Sequence, residues 1–275
     1  MSRRSMFPCL ILVALLAACG STSSSPQSSA GTSSYAGKTL QLGAAISLTG
    51  AGAVYGPAQR NGIELAVDAI NSSGGVNGAR VAVDVEDDAS SPQQAAQVFQ
   101  AFITSKNVLG ILGPTLSNSA VAAHPFADKQ KTPVVAVSNT GLQIVGDCPY
   151  PCTYIFRDSL GESQAVPANV NQFVDTHHPS SAVILYANDD KFSSDDETIF
   201  KKALSDRKVN VAGEVAFSKN EVDFRPFATT AMGYHPDVVI ISALGGPASK
   251  LMVALRALGY AGPILGGNGF NTNPV

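Results

Sequence analysis

The chain has 275 residues, of which 45% are hydrophobic and 14% are charged, and its net charge is −3. This apolar content can bury a core, so it excludes an intrinsically disordered protein. The 18 basic residues do not outnumber the 21 acidic ones, which argues against a nucleic-acid-binding protein that depends on phosphate contacts. The length is sufficient for one large domain or for two ordinary ones.

Residues 1–18 have the pattern of a secretory signal peptide. A basic start at Arg3 and Arg4 is followed by an apolar run at 7–17, which is too short to cross a hydrocarbon layer of about 30 Å as a helix. The run ends in Leu-Ala-Ala before Cys19, which resembles the bacterial lipobox. This predicts an exported protein attached to the cell membrane, in the periplasm or on the outer face, by a lipid on Cys19. The alternatives are a buried N-terminal element or an ordinary cleaved signal peptide with an incidental cysteine.

Residues 19–37 are expected to form a flexible tether that begins at the lipidated cysteine. The segment is rich in Ser, Gly and Thr and carries no charge, so it cannot bury a core. A tether of this kind would connect a lipid anchor to a globular body. No later segment approaches the run of about 18 apolar residues that a membrane-spanning helix needs, so no further crossing is predicted.

Two cysteines in the body of the chain, Cys148 and Cys152, flank the short sequence Pro-Tyr-Pro. In an oxidising compartment these two thiols are expected to pair as a disulfide. A metal site would need more ligands, and no histidine lies nearby. The sequence therefore predicts a small disulfide-closed loop and no metal site here.

The body of the chain alternates predicted strands and helices in two rounds. The first round has strands at 40–48, 80–85, 108–112 and 133–137 and helices at 56–70, 92–105 and 118–129. The second has helices at 162–177, 194–206, 223–232 and 247–258 and strands at 182–187, 209–217, 238–242 and 263–265. Ser194 and Glu197 are placed to form a capping box. The alternation predicts an α/β fold with two Rossmann-like lobes, lobe 1 at 38–157 and lobe 2 at 158–275.

Signatures of catalysis are absent from the sequence. The glycines at 50–56 read GxGxxxG, one residue too long for a dinucleotide fingerprint, and the acidic cluster at Asp87 lies too far beyond them. There is no GxSxG elbow and no GxxxxGK[ST] loop. The adjacent His177 and His178 would point in different directions on a helix, and the acidic run at 189–197 is better explained by helix capping and a solvated face. We therefore expect no enzyme, no cofactor and no metal.

The predicted strands end in loops that are rich in Gly, Ser, Thr and Asn. In open parallel sheets, ligands bind outside the carboxyl ends of the strands. Residues of these types supply hydrogen bonds and exposed helix N-termini, which suit a small polar or anionic ligand. The pattern favours ligand binding over catalysis.

A set of motifs carries a family resemblance. They are ISLTG at 46–50, Tyr55-Gly56, GIELAVDAIN at 62–71, GGVNG at 74–78, Asp87-Asp88, Gly113-Pro114 with Ser117, and Val222-Asp223-Phe224. Over residues 37–270, the chain resembles the type I periplasmic binding proteins, in particular the leucine/isoleucine/valine-binding group of ABC transporters. The resemblance implies a monomeric, non-catalytic protein of two lobes that close on a small-molecule ligand and present it to a membrane permease. A ligand sensor of the same fold and an exported Rossmann-like enzyme are the alternatives.

The resemblance also implies a set of ligand-binding residues in lobe 1. Tyr55 would form a wall of the pocket. Ser117, Ser138 and Thr140 would hold a ligand carboxylate through hydroxyl and backbone N–H groups. Each of these three residues could instead simply cap a helix.

Lobe 2 departs from the family pattern at three positions. Phe192 and Leu244 fall where amino-acid binders carry tyrosines, and Asn268 falls where they carry the glutamate that pairs with the ligand ammonium. A buried ammonium without that partner would be costly. An amide, a carboxylate or a small aromatic acid is therefore expected in place of an α-amino acid. Family members also continue further and return to lobe 1, so this chain is expected to be a truncated form.

Overall fold

The computed structural model of the protein describes residues 35–272. The predicted signal peptide, the lipidation site at Cys19 and most of the predicted tether lie outside these residues. Within the described part of the chain, none of the helices combines the length and the apolar character that a membrane span requires.

The first half of the described chain forms a parallel sheet of five strands with three helices. The strands are β1 (Thr39–Ile46), β2 (Arg80–Asp87), β3 (Ile111–Leu112), β4 (Val134–Ala136) and β5 (Ile155–Arg157), in the order β2-β1-β3-β4-β5. The helices are α1 (Gly56–Ser72), α2 (Pro92–Thr104) and α3 (Ser117–Lys129), and a 3-10 turn spans Gly50–Gly52. The sequence analysis missed β5, a three-residue strand at the edge of this sheet.

The second half forms a parallel sheet of four strands with four helices. In chain order these are α4 (Glu162–His177), β6 (Ser181–Ala187), α5 (Lys191–Asp206), β7 (Asn210–Phe217), α6 (Arg225–Met232), β8 (Val238–Ser242), α7 (Gly245–Ala257) and β9 (Ile264–Gly266), followed by a 3-10 turn at Asn268–Phe270. The strand order is β7-β6-β8-β9. The two sheets thus show the predicted α/β architecture, and the chain passes from the first to the second between β5 and α4.

The sheet of lobe 2 is covered on both faces. Alternate residues of β6 and β8 pack against α6 and α7 on one face, where Leu185 and Ile241 are buried, and against α4 and α5 on the other, where Ile184 and Ile240 are buried. Because the central strand β8 is enclosed from both sides, all five of its residues are buried.

The sheet of lobe 1 is covered unevenly. Helices α2 and α3 bury one face, where Phe99 and Phe102 are inaccessible to solvent. On the opposite face, the strand register aligns a row of side chains that begins next to α1 and ends at the β4–β5 edge: Val85, Ala44, Leu112, Val135 and Phe156. Phe156, at the end of this row, is 52% exposed. Helix α1 therefore shields only the part of this sheet face that lies near β2.

Helix α5 begins earlier than predicted, which corrects the expected capping box. The N-cap is Asp190, whose side chain accepts a hydrogen bond of 3.0 Å from the backbone N–H of Ser193. Ser194 therefore lies inside the helix, and its hydroxyl donates to the carbonyl of Ala187 at 3.4 Å. Asp190 thus confirms the capping part of the prediction for the acidic run, whereas the predicted solvated face is wrong for Asp196 and Glu197, which are buried.

Cys148 and Cys152 lie in the loop that connects β4 to β5. The structure joins them by a disulfide with a Cα–Cα distance of 6.0 Å. Cys152 also packs, partly buried, against the α2–α3 side of the lobe 1 core. The loop is thereby attached to the side of the lobe that the helices cover.

Candidate ligand-binding site

A cavity of about 500 Å³ lies between the lobes, at the carboxyl ends of the strands of both sheets. Lobe 1 contributes the start of α1 and the loops after β3 and β4, and lobe 2 contributes the starts of α5 and α7 and the loop after β9. All seven residues expected from the sequence line it: Tyr55, Ser117, Ser138, Thr140, Phe192, Leu244 and Asn268. The sequence analysis did not single out other lining residues, among them Gln59, Thr115, Asn139, Phe270 and Thr272.

The helices that begin at the cavity include α3 of lobe 1 and α7 of lobe 2. Helix α3 follows the N-cap Leu116 and helix α7 follows the N-cap Leu244, and neither N-cap provides a side-chain hydrogen bond. The N–H groups of an uncapped first turn carry partial positive charge, which favours an anionic or hydrogen-bond-accepting group nearby. Among the described residues, no side chain that lines the cavity is charged at neutral pH.

The three hydroxyl residues expected to hold a carboxylate are bonded within the protein. Ser117 is the first residue of α3, and its hydroxyl accepts from the backbone N–H of Gly141 at 3.2 Å. The Ser138 hydroxyl accepts from the Gln59 side chain at 2.8 Å and donates to the Thr115 carbonyl at 2.7 Å. None of these contacts is an N-cap, so simple capping does not account for Ser117 or Ser138.

Tyr55 connects the two lobes across the cleft. Its hydroxyl accepts a hydrogen bond of 2.7 Å from the backbone N–H of Gly245, at the start of α7, and donates one of 3.0 Å to the carbonyl of Gly269. Burial of the hydroxyl raises the pKa of Tyr55 to about 12, so the phenol stays protonated. The Thr272 hydroxyl donates to the Val54 carbonyl at 3.4 Å beside it. Tyr55 is therefore both a wall of the cavity and a contact that holds the lobes together.

The remaining predicted residues divide into an apolar and a polar part of the lining. Phe192, Leu244 and Leu116 form a small buried cluster against which Tyr55 packs. Asn268 lies opposite, where its side-chain amide donates to the carbonyl of Ser138 at 3.5 Å. The cavity thus offers an apolar wall and a polar, uncharged floor.

Glu162, at the first position of α4, lies directly behind the cavity lining. It is fully buried, and its Oε1 accepts hydrogen bonds from the Thr140 hydroxyl at 3.1 Å and from the Asn268 backbone N–H at 2.9 Å. Burial raises its pKa, against the lowering effect of these bonds and of the charge on Arg157. Its side chain contacts that of Asp196 on α5, which is also fully buried. No local sequence pattern predicts this pair.

Comparisons with known proteins agree with this architecture. The family model of the periplasmic binding proteins matches residues 39–274. The leucine-, isoleucine-, valine-, threonine- and alanine-binding protein of Pseudomonas aeruginosa is 25% identical over 224 residues, which are 77% of this chain and 59% of that protein.

Two solved structures show the similarity of fold. The branched-chain amino acid transporter substrate-binding protein LivJ of Streptococcus pneumoniae, in complex with isoleucine, has a TM-score of 0.78 and 26% identity, over 85% of this chain and 65% of that one. An ABC transporter solute-binding protein of R. palustris, in complex with 4-hydroxybenzoate, has a TM-score of 0.74 and 22% identity, over 84% of this chain and 62% of that one. The chain therefore spans about three fifths of the length of these relatives. The expected fold class and family resemblance are confirmed.

Proposed function

Because the chain belongs to the periplasmic binding protein family, we propose that it captures a small carboxylate, amide or amino-acid-like ligand between its lobes and delivers it to the membrane permease of an ABC importer. The observation that carries this proposal is the cavity itself, which both lobes line at the carboxyl ends of their parallel strands. The function needs no catalytic step. It also suits the expected export, the lipid anchor at Cys19 and a monomeric state.

The chemistry of the lining favours a ligand that carries no ammonium group. An α-amino acid brings a positive charge, and within the described part of the chain the side chains that line the cavity include no carboxylate to pair with it. A buried charge without a partner is costly, whereas a carboxylate or an amide can accept hydrogen bonds from the uncapped start of α3. Phe192 and Leu244 offer an apolar surface for a small ring or chain. A small aromatic acid or an amide fits these features best.

A thermal-shift screen of the full chain tests the proposal. The panel contains leucine, isoleucine, 4-methylpentanamide, benzamide, 4-hydroxybenzoate and 3,4-dihydroxybenzoate. We expect an aromatic acid or an amide to raise the melting temperature, because a ligand that binds only the native state stabilises it. If no compound raises it, the proposed ligand class is refuted. If leucine alone raises the melting temperature, the inference that the ligand carries no ammonium group is refuted.

Two variants with the same chemical change sharpen the screen. Asn268→Glu places a carboxylate in the cavity and should create a response to leucine while weakening the response to 4-hydroxybenzoate. Asn220→Glu makes the same change at an exposed position of lobe 2 and should alter neither response. Uptake of the bound compound by cells that lack the protein, with and without the gene restored, separates import from sensing.

A further inference from the structure

Two carboxyl groups meet in the interior of lobe 2, one residue layer behind the cavity. Glu162 on α4 and Asp196 on α5 are both fully buried, and their side chains are in hydrogen-bonding contact. Asp196 Oδ2 accepts from the Ser242 hydroxyl at 3.0 Å. Glu162 Oε2 and Asp196 Oδ1, by contrast, receive no hydrogen bond from any donor group within residues 35–272. These are the two oxygen atoms for which the pair itself must account.

A single proton shared by the two carboxyl groups accounts for their contact. Buried polar atoms in native proteins nearly always have a hydrogen-bond partner, and two ionised carboxylates in contact repel strongly in a buried site. One proton between the side chains of Glu162 and Asp196 supplies a hydrogen bond and removes one of the two charges. The pair then titrates as a unit.

The surroundings decide which member keeps the charge. Arg157 on β5 faces Glu162 and favours its ionised form, and Arg157 is itself influenced by Asp147. Asp195 on α5 faces Asp196 and disfavours its ionisation, although Lys191 neutralises part of that charge through a contact of 2.7 Å. Burial, and next the charge of Glu162, raise the pKa of Asp196 well above its usual range. Glu162 is therefore the carboxylate, and Asp196 is the protonated partner.

The pair is attached to the cavity lining of both lobes. Glu162 Oε1 accepts from Thr140, in the loop after β4 of lobe 1, and from the backbone of Asn268, in the loop after β9 of lobe 2. The second loop also packs closely against the pair, because a Cβ added at Gly267 would lie 2.6 Å from Asp196 Oδ2. A change in the position of Glu162 would thus be transmitted to two residues that face the ligand.

We propose that Glu162 and Asp196 hold one proton between them and act as positioning residues for Thr140 and Asn268, so that ligand capture is coupled to retention of this proton. The coupling to a ligand rests on the proposed function, whereas the shared proton does not. When the pH rises through the upper pKa of the pair, the proton is lost and two carboxylates repel each other at the junction of the lobes. Affinity then falls, by up to about tenfold per pH unit for one linked proton.

The shared proton is tested on the full chain without any added compound. Carbon-13 NMR of protein labelled at the aspartate carboxyl carbon should include a signal, that of Asp196, which titrates well above the usual aspartate range. That signal should be missing from Asp196→Asn and should titrate at lower pH in Glu162→Gln, where the neighbouring charge is removed. The control is Glu197→Gln, the next residue of α5, whose buried carboxyl faces Glu214 and Lys201 instead and should leave the signal unchanged. Titration of every aspartate within the usual range would overturn the proposal.

The coupling is tested by calorimetric titration with 4-hydroxybenzoate across a pH series. The affinity of the unaltered protein and of Glu197→Gln should decrease as the pH rises, whereas that of Asp196→Asn should stay constant, because the amide is neutral and still donates to Glu162. Equal pH profiles in all three proteins would overturn the positioning role. If neither 4-hydroxybenzoate nor any other compound of the panel binds, the proposed function and the coupling both fail, and the NMR titration still decides whether the proton is shared.

Discussion

Replacement of Tyr55 by phenylalanine removes one oxygen atom that takes part in two hydrogen bonds between the lobes. The ring stays and keeps its packing against Phe192 and Leu244, so the change isolates the polar contact. The backbone N–H of Gly245 and the carbonyl of Gly269 each lose their partner across the cleft. Because these bonds form only when the lobes are together, the loss falls on the closed arrangement and spares the fold of each lobe.

The magnitude follows from the two bonds. A neutral hydrogen bond contributes about 1 kcal/mol net, so the closed arrangement of Tyr55→Phe should be weakened by about 2 kcal/mol. Since about 1.4 kcal/mol corresponds to a factor of ten, the affinity for a captured ligand should fall roughly 30-fold. If the protein captures its ligand between the lobes as proposed, most of this loss should be in the dissociation rate, because release would require the lobes to open.

Two measurements and one control test this reasoning. Calorimetric titration and stopped-flow dissociation with the compound found in the screen give the affinity and its kinetic origin. X-ray scattering in solution reports independently whether the radius of gyration increases. The control is Tyr260→Phe, which removes a hydroxyl that donates to Pro263 within lobe 2 at 2.9 Å, away from the cleft. Unchanged affinity and dissociation in Tyr55→Phe would show that the hydroxyl does not hold the lobes together.

Three further predictions concern the lobes themselves. In urea unfolding, Phe99→Ala should lower the free energy of unfolding by about 3–5 kcal/mol. Phe156→Ala, at the exposed end of the row of side chains, should lower it by well under about 1 kcal/mol. Similar losses in the two variants would contradict the uneven covering of the lobe 1 sheet. Asp190→Ala should destabilise the protein by about 1–2 kcal/mol and Ser194→Ala by much less. A larger loss in Ser194→Ala would show that Ser194, and not Asp190, caps helix α5. The Ser180 hydroxyl and N–H groups lower the pKa of Asp237, so its stabilisation is present above the unfolded-state pKa and disappears as the pH falls through the native value. Asp237→Asn should therefore make the free energy of unfolding depend less on pH on the acid side. An unchanged pH dependence would show that Asp237 does not contribute to it.

Most elements of the fold could be predicted because their signals are local. The apolar run of β8 and the helical spacing of α4 can each be recognised within one continuous segment of the sequence. The predicted bounds of these two elements agree with the structure. Strand β5 could not be found in this way, because three residues at an edge carry no alternation and only pairing with β4 makes them a strand. The start of α5 was misplaced because Asp190 and Ser194 are both suitable caps and only packing distinguishes them.

The lining of the cavity was easier to anticipate than what supports it. Ser117 and Asn268 could be placed because the ends of parallel strands converge at one edge of a sheet. The roles of Glu162 and Asp196 could not, since a charged residue on a helix is ordinarily a solvated one and nothing local indicates that two carboxyl groups 34 positions apart will meet in the interior. Their contact depends on how α4 and α5 pack, which a single sequence does not specify.

The two sheets exchange no strands within residues 35–272, and this has a consequence for how the molecule assembles. Every strand pairs with strands from its own half of the sequence, so short loops suffice to complete each sheet. All five strands that the structure shows in the first sheet have been synthesised once Arg157 has been added, before any strand of the second sheet exists. The cavity draws its lining from both lobes, so the described part of the ligand site cannot form until the loop after β9 has been synthesised.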